Sequence, residues 1–241
     1  MKVLWLENDR FMINTLRLIA VGLGCTAALH GTPAKELKLD ELFPKDRLLE
    51  VNIALSEADW EKIRYQRRTR ENALPPSRKF EPPPPPYSYV EASVTIDGVT
   101  YPKVGLRKKG FIGSQDTTRP SLKVKLDYSD KKGHIDGLRN LTFNNNKQDA
   151  SLVSQFMGYE FWDAAGAPGS RCAFAKVTVN GRNLGVYCHV ETVREPLLKR
   201  EFGSDKGTLF EGTVVDFYPE WEGSFERKTG DDKKGRAHLV K

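Results

Sequence analysis

The residues from Val104 to Leu126 combine glycines, hydroxyls and cations in a pattern that suits phosphate binding. Their sequence is VGLRKKGFIGSQDTTRPSLKVKL. Gly110 and Gly113 would allow backbone amides to approach phosphate oxygens, and the hydroxyl of Ser114 could donate a further hydrogen bond. The segment is neither a Walker motif nor a G-x-G-x-x-G motif, so it predicts only a basic loop between two strands.

Four cations accompany this loop, two of them on the strand that follows it. In SLKVKLD, side chains should alternate between the two faces of a strand, which places Lys123 and Lys125 together, opposite the apolar residues. Either lysine could neutralise phosphate charge, and Arg107 and Lys109 could add cationic contacts. The alternative is that the lysines only solvate the outer face of a sheet.

The elements that must position these residues begin with a helix and an extended arm. LSEADWEKIRYQRR predicts a helix with Ser56 as its N-cap and Asp59 three residues later. Five consecutive prolines within Leu74 to Tyr87 exclude a helix or a central strand and predict a polyproline II arm. We interpret the arm as a stiff linker inside one domain, with partner docking as the alternative. Asp97 and Gly98 then predict a hairpin, at which we expect the sheet to begin.

Strand and helix patterns continue after the basic loop. Leu141 to Phe143 predicts a strand, followed by an asparagine turn and a helix capped by Asp149 or Ser151. This helix should pack on the sheet. Two strands, a short helix and a short strand complete the pattern, at Cys172 to Val179, Leu184 to Glu191, Glu195 to Phe202 and Thr208 to Glu211.

Two cysteines flank the last predicted hairpin. A three-residue loop at Asn180 and Gly181 would bring Cys172 and Cys188 face to face, whereas a loop of two or four residues would move them off register. We favour two small buried thiols over a disulfide. The four histidines lack metal-ligand spacing and no Ser-His-Asp signature is present, so neither a histidine metal site nor a catalytic triad is predicted.

Composition sets broad limits on the class of protein. The chain has 241 residues, of which 39% are hydrophobic and 29% are charged, which is typical of a globular protein and excludes a repeat, a coiled coil or a disordered tail. Its formal charge of +6 favours anionic partners such as phosphates, nucleic acid or acidic protein segments.

The N-terminal residues predict export. The apolar run from Leu18 to Leu29 follows Arg17, has the length of a signal-peptide core and is short for a membrane span. Translation could start at Met12, and Cys25 could be lipidated; a buried N-terminal helix is the remaining alternative. We predict residues 1–34 to be a signal peptide and leader, and the mature chain to lack a transmembrane span and to be secreted or held in the cell envelope.

Several landmarks occur in an order that resembles the spore coat protein H (CotH) kinase family. The most characteristic are an R-x-K-G loop followed by P-S-L-K-V-K, an N-N-x-x-x-D-x-S turn into a helix, and V-N-G-x-x-x-G-V-Y-x-x-V-E. The resemblance covers Leu48 to Glu211. It implies an α+β fold in which an antiparallel sheet with packed helices forms an atypical protein-kinase-like N-lobe.

The resemblance also implies an activity and its cofactors. Such a protein would use ATP and Mg to phosphorylate serines on partner coat or surface proteins, in serine-rich segments that are basic or acidic. The loop from Arg107 to Ser114 would cover the phosphates, Lys123 or alternatively Lys125 would pair with them, and Tyr187 to Glu191 would approach the adenine. The implied cofactor-binding residues are Arg107, Lys109, Gly110, Ser114, Lys123, Lys125 and Glu191.

The chain departs from the family pattern at two places. Ser154 and Gln155 stand where relatives commonly have Arg-Glu, and Glu211 stands where they often have lysine. The catalytic aspartates and metal ligands are expected beyond residue 241, so residues 35–241 are predicted to form a CotH-like domain that supplies only the nucleotide lobe. A non-catalytic envelope or coat assembly module that binds a protein or a glycan is the alternative. Nucleic acid is not expected as a partner, because KVKLD lacks interleaved aromatic residues.

Overall fold

The computed structural model of the protein describes residues 36–239, and the predicted signal peptide and leader lie outside this range. The strands are β1 (Leu49–Ala54), β2 (Val90–Ile96), β3 (Val99–Lys109), β4 (Ser121–Lys125), β5 (Asn140–Asn144), β6 (Cys172–Val179), β7 (Arg182–Glu191), β8 (Leu209–Glu211) and β9 (Glu226–Thr229). The α-helices are α1 (Glu57–Arg64), α2 (Arg70–Ala73), α3 (Ser154–Ala164), α4 (Glu195–Phe202) and α5 (Asp232–Leu239). Within residues 36–239, no helix has the length and apolar character that crossing a membrane requires.

Seven strands close into a barrel in the order β1-β2-β3-β4-β5-β7-β6. Neighbouring strands run antiparallel, except that β1 and β6 pair in parallel. Val51 of β1 lies opposite Ile96 of β2 on one side and opposite Val177 of β6 on the other. Strand β1 therefore joins the two edges that the remaining six strands would leave open, and β8 and β9 form a separate ribbon.

This barrel shows that the predicted fold class is wrong. The protein does not form an α+β, kinase-like N-lobe in which helices pack on an antiparallel sheet. The sheet closes on itself. Helix α3 does pack on the sheet as expected, because its partly buried Phe156 and Tyr159 lie against Cys172, Cys188 and Val190.

The sheet was expected to begin at the Asp97 and Gly98 hairpin, but β1 precedes that hairpin in the chain. In β1, Leu49, Val51 and Ile53 are buried and alternate with exposed residues. A strand that covers both edges of a sheet removes the need for helices to protect them.

Both predicted hairpins are present. Asp97 and Gly98, with φ of 45° and 84°, turn β2 into β3, and Asn180 and Gly181, with φ of 49° and 76°, turn β6 into β7. Such left-handed pairs are typical of the tight two-residue turns that match the twist of antiparallel strands. The β2–β3 hairpin thus confirms the strongest short-range signal in the sequence.

The two-residue turn and a register shift between Val177 and Thr178 together decide how the cysteines lie. Cys172 is opposite Val190, and Cys188 is opposite Phe174, so the two cysteines occupy diagonal rather than facing positions. Both thiols are free and buried. The preference for two buried thiols is confirmed, and the three-residue loop that would have brought them face to face does not form.

Helix α1 begins as predicted and is closed by an unexpected lysine. The Ser56 hydroxyl accepts a hydrogen bond from the Asp59 amide at 3.1 Å, which confirms the predicted N-cap. At the other end, Lys108 of β3 donates from Nζ to the Arg64 carbonyl oxygen at 2.7 Å. A cation is favourable at a helix C-terminus, which explains how a lysine that is only 1% exposed is accommodated.

His189 of β7 is fully buried between two aromatic rings. The Phe43 and Phe143 rings each lie with their centroids 4.8 Å from the imidazole. Nδ1 donates to the Thr142 carbonyl oxygen at 3.0 Å, whereas Nε2 has no hydrogen-bond partner within residues 36–239. Burial disfavours the charged ring and lowers the pKa of His189 from 6.5 to about 4.

We expect mild acid to destabilise the protein through His189. Above pH 6.5 the ring is neutral in the folded and the unfolded chain, so it contributes no pH dependence. As the pH falls from 6.5 towards 4, the unfolded chain binds a proton that the folded chain excludes, and stability is lost. With a folded pKa of about 4, the free energy of unfolding should fall by about 2 kcal/mol between pH 7.5 and pH 5.

Urea unfolding at the two pH values measures this loss. His189→Phe should remove most of it, because the variant has no proton to bind at this position. His238→Gln, at an exposed site on α5, should retain it and serves as the matched control. An undiminished loss of stability in His189→Phe would show that another group controls the acid response.

Candidate functional site

The outer face of β3 and β4 carries the predicted cations side by side. Arg107 lies opposite Lys123, and Lys109 lies opposite Ser121, in the antiparallel pairing of the two strands. The alternation along β4 leaves Lys123 and Lys125 partly exposed, while Val124 between them is buried. The prediction that both lysines share one face of a strand is confirmed.

A cleft of about 910 Å³ opens above this face. Its lining includes the outer side chains of β3, β4 and β5, the prolines at 82–85, the asparagine turn at 144–149 and the first residues of α3. The polyproline arm, interpreted from the sequence as a linker, is therefore part of the cleft wall. Five of the seven residues predicted to bind the cofactor line the cleft: Arg107, Lys109, Gly110, Ser114 and Lys123.

The loop between β3 and β4, residues 110–120, is called the glycine loop. It is held in place by hydrogen bonds that involve its backbone. The Ser114 hydroxyl accepts from the Phe111 amide at 3.1 Å, and the Tyr87 hydroxyl donates to the Gly110 carbonyl oxygen at 2.8 Å. Gly110 has φ of 122°, and a Cβ atom there would lie 2.7 Å from the Ser114 hydroxyl oxygen. A larger residue would therefore distort the loop. The Ser114 hydroxyl is engaged within the loop, so its role is to shape the cleft.

Asn145 fastens the same loop to the barrel. Its side-chain amide donates to the carbonyl oxygens of Ser114 at 3.1 Å and Arg119 at 2.6 Å, while its backbone amide donates to the Ser121 hydroxyl at 3.0 Å. Asn145 is 2% exposed, so these bonds compete little with water. The asparagine turn thus fixes the loop that precedes β4 relative to the strand itself.

Lys123 lies among other cations without a matching anion. Burial is the main cause that lowers its pKa from 10.5 to about 8, and repulsion from Arg107, Arg194, Lys228 and Lys109 adds to the effect. Within the described part of the chain, no carboxylate pairs with Lys123. A phosphate group would provide the missing negative charge and favour the protonated lysine.

Lys109 is held by a relay of two amides. Its Nζ donates to Asn144 Oδ1 at 2.6 Å, and Asn144 Nδ2 donates in turn to Gln155 Oε1 of α3 at 2.9 Å. Burial, followed by repulsion from Arg107, lowers the pKa of Lys109 to about 8. Gln155, which replaces the acid expected from the family pattern, therefore reaches a lysine of the cleft, but that lysine is Lys109 and not Lys123.

The other predicted site residues lie away from the cleft lining. Lys125 is on the same face of β4 and places Nζ 6.0 Å from the ring centroid of Tyr89. Glu191 is buried, and its carboxylate oxygens lie 3.1 Å from Arg171 Nη2 and 2.5 Å from Arg200 Nη2. Tyr187 is fully buried in the barrel core. The structure thus brings the β3 and β4 cations together and leaves the β7 residues elsewhere.

Several cleft residues had no recognisable signal in the sequence. Arg194 comes directly before α4 and Lys228 lies on β9, so both are far along the chain from the basic loop. Lys228 is compensated by Glu211 and Glu226, at 2.5 and 2.6 Å. Only folding of the chain brings these residues together. The asparagine turn was recognisable, but its sequence indicated a turn and not a cleft wall.

The described residues fit phosphate groups better than they fit Mg. Magnesium in nucleotide sites is usually bound by one or two carboxylates together with substrate phosphates. The carboxylates that line the cleft are Asp149 and Glu226. Asp149 accepts from the Ser154 amide at 2.8 Å, and Glu226 pairs with Lys228. The N-cap position of α3 is Val153, and neither Asp149 nor Ser151 occupies it as predicted. No cluster of three or more metal-ligating side chains occurs among residues 36–239.

The fold and the site define a β-barrel protein with a basic cleft on its outer wall. The family model "CotH kinase protein" matches residues 106–238, more than half of the chain. The chain therefore belongs to the CotH kinase protein family, and the resemblance stated from the sequence motifs is confirmed. The match includes the glycine loop, β4 and the asparagine turn, which together form much of the cleft.

A curated relative is consistent with this assignment. The chain is similar to the "Inner spore coat protein H-like protein" of Bacillus subtilis (strain 168), with 26% identity over 102 residues. The matched region covers 39% of this chain and 33% of the relative. The chain thus matches about a third of the length of that protein.

Proposed function

We propose that the protein binds the polyphosphate of ATP in the basic cleft and takes part in ATP-dependent phosphorylation of serines on coat or surface proteins. The observation that carries the proposal is that Arg107, Lys109, Lys123 and Arg194 line one cleft and, within residues 36–239, none of them pairs with a carboxylate. Membership of the CotH kinase protein family and the name of the Bacillus relative support a spore coat or envelope setting.

The cleft residues would act by positioning and by charge. Phosphoryl transfer depends mostly on orienting the phosphates and stabilising their negative charge. Arg107 and Lys123, on adjacent strands, would contact the same phosphate chain, and Lys109 would be oriented by the relay through Asn144. The bonds made by Asn145 keep the glycine loop in place, so little ordering would be required when the ligand binds.

We expect ATP and inorganic tripolyphosphate to raise the melting temperature, with ADP and AMP progressively less effective. Each phosphate removed takes away charge that the cleft cations would neutralise. A thermal shift series at constant ionic strength tests this order, with adenosine as the control that lacks phosphate. The absence of stabilisation by every phosphate compound would rule out the proposed site.

Transfer of labelled γ-phosphate from ATP to a serine-rich coat protein then separates an enzyme from a binding module. Incorporation into serine would support the kinase, and nucleotide binding without transfer would favour a non-catalytic role for this chain. The expected substrates are proteins with serine-rich segments that carry charged residues. Export of the chain, by the predicted segment at 1–34, is part of the same proposal.

A second candidate function is assembly of a coat or envelope layer without chemistry. It is favoured by the outer face of α3, on which Met157, Phe161 and Trp162 are 58%, 70% and 52% exposed. Large apolar side chains grouped on one exposed helix commonly mark a protein interaction site. Replacing Phe161 and Trp162 with serine should then abolish partner binding and leave the nucleotide-induced thermal shift unchanged.

A further inference from the structure

The balance of charge in the cleft is unusual for a site that would share its ligand with a divalent cation. Arg107, Lys109, Lys123 and Arg194 form no ion pair with any carboxylate within residues 36–239. Lys147 differs from them, because Asp116 lies 2.7 Å from its Nζ. Arg68 also lines the cleft and forms no ion pair with a described carboxylate, so the cleft presents five positive charges that its own described residues leave uncompensated.

The carboxylates that could hold a metal ion are already engaged. One oxygen of Asp149 accepts from the Ser151 amide at 3.0 Å, and the other accepts from the Ser154 amide at 2.8 Å. Glu226 lies 2.6 Å from Lys228 Nζ. A divalent cation would have to break the hydrogen bonds of Asp149 or the ion pair of Glu226, and it would add positive charge to a cleft that is already cationic.

We infer that the cleft binds a metal-free polyphosphate, with the five uncompensated side chains performing the neutralisation that Mg²⁺ performs at other nucleotide sites. The inference rests on the proposed phosphate site and specifies the ionic form of its ligand. A nucleoside triphosphate without metal carries about four negative charges near pH 7.5, and a bound Mg²⁺ would cancel two of them. The metal-free form can pair with four of the five cations, whereas the magnesium complex would leave three of them unpaired.

The titration of the lysines is consistent with this charge match. The pKa values of Lys109 and Lys123 are lowered to about 8 by burial and by the neighbouring cations, with Glu211 acting in the opposite direction on Lys109. A bound polyanion would favour the protonated lysines. Affinity should therefore be high at pH 7 and should fall as the pH rises through 8, because the free lysines lose the protons that the complex requires.

Calorimetric titration of the full chain with ATP, in EDTA and in excess MgCl₂ at matched ionic strength, tests the inference. We expect binding in EDTA to be about tenfold tighter than in MgCl₂, with inorganic tripolyphosphate in the same order. Equal affinity in the two buffers, or tighter binding in MgCl₂, would overturn the inference. If neither compound binds in either buffer, the proposed phosphate site itself is wrong and the inference falls with it.

Variants of the cleft carboxylate and of one cation sharpen this test. Glu226→Gln removes a negative charge, so it should tighten ATP binding in EDTA. Arg194→Ala removes one of the five uncompensated charges and should weaken binding in EDTA by about tenfold. Binding in MgCl₂ that depends on Glu226 would instead identify this carboxylate as a metal ligand and would contradict the inference.

Discussion

Replacing Lys123 with glutamate should lower the affinity for ATP and for tripolyphosphate by on the order of 100-fold. The variant loses a charge-assisted contact with phosphate and places a negative charge opposite Arg107, where it would form an ion pair instead of leaving Arg107 for the ligand. The fold should persist, because Lys123 projects from the outer face of β4 and not into the barrel core. Calorimetric titration measures the affinity, and circular dichroism during thermal unfolding measures the stability.

The chain offers a close control for this variant. Lys125 lies two residues along the same strand and on the same face, but outside the cleft lining. Lys125→Glu changes the net charge by the same amount and should alter affinity by less than about threefold. A larger loss of affinity at Lys125 than at Lys123 would indicate that the phosphate site lies further along the strand, near Lys125. Equal effects at the two positions would indicate general electrostatic attraction and not a defined site.

The parts of this site that could be predicted from sequence are the parts that are local in the chain. Period-two alternation fixed the common face of Lys123 and Lys125, and the Asp97 and Gly98 turn fixed the hairpin that delivers Arg107. These features depend on the backbone geometry of a few consecutive residues. The order of the motifs predicted the family correctly for the same reason, because each motif is a short segment.

The prediction of the fold class was wrong because barrel closure is not a local property of the sequence. Apolar and polar residues alternate clearly along β1, but this pattern does not indicate that one edge of the strand pairs with β2 and the other with β6. Parallel pairing of β1 with β6 joins residues more than 120 positions apart, as at Glu50 and Lys176. The same limit applies to Arg194 and Lys228, which enter the cleft from distant elements. Predicting them requires the closed fold first.

The Gln155 relay shows how a departure from a family pattern changes the site. The family pattern places an acid at this position, and an acid would have compensated one lysine of the cleft. Gln155 instead accepts a hydrogen bond from Asn144, which orients Lys109 without neutralising it. The cleft therefore retains its full positive charge, which is consistent with a ligand that arrives without a metal ion. A glutamine in place of an acid is not by itself a loss of the site.

Glu191→Ala should lower the free energy of unfolding by about 3 kcal/mol while leaving ATP affinity nearly unchanged. Sequence resemblance assigned the end of β7 to the adenine side of a nucleotide site. In the structure the Glu191 side chain is fully buried and pairs with both Arg171 and Arg200. Its removal would leave two neighbouring guanidinium groups without their shared anion, and among residues 36–239 Arg171 would retain only the carboxylate of Asp40, which is 92% exposed.

Chemical denaturation and calorimetric titration of the same variant separate the structural role of Glu191 from a ligand-binding role. Glu50→Ala is the matched control, because Glu50 forms an exposed ion pair with Lys176 at 3.5 Å, and such pairs contribute less than about 1 kcal/mol. A stability loss confined to Glu191→Ala, with ATP binding retained, would establish the carboxylate as a structural anchor between β7, α4 and the residue that precedes β6. Loss of ATP affinity at unchanged stability would restore the assignment made from sequence. It would also require the nucleotide to extend from the basic cleft towards β7, because Glu191 lies outside the lining of that cleft.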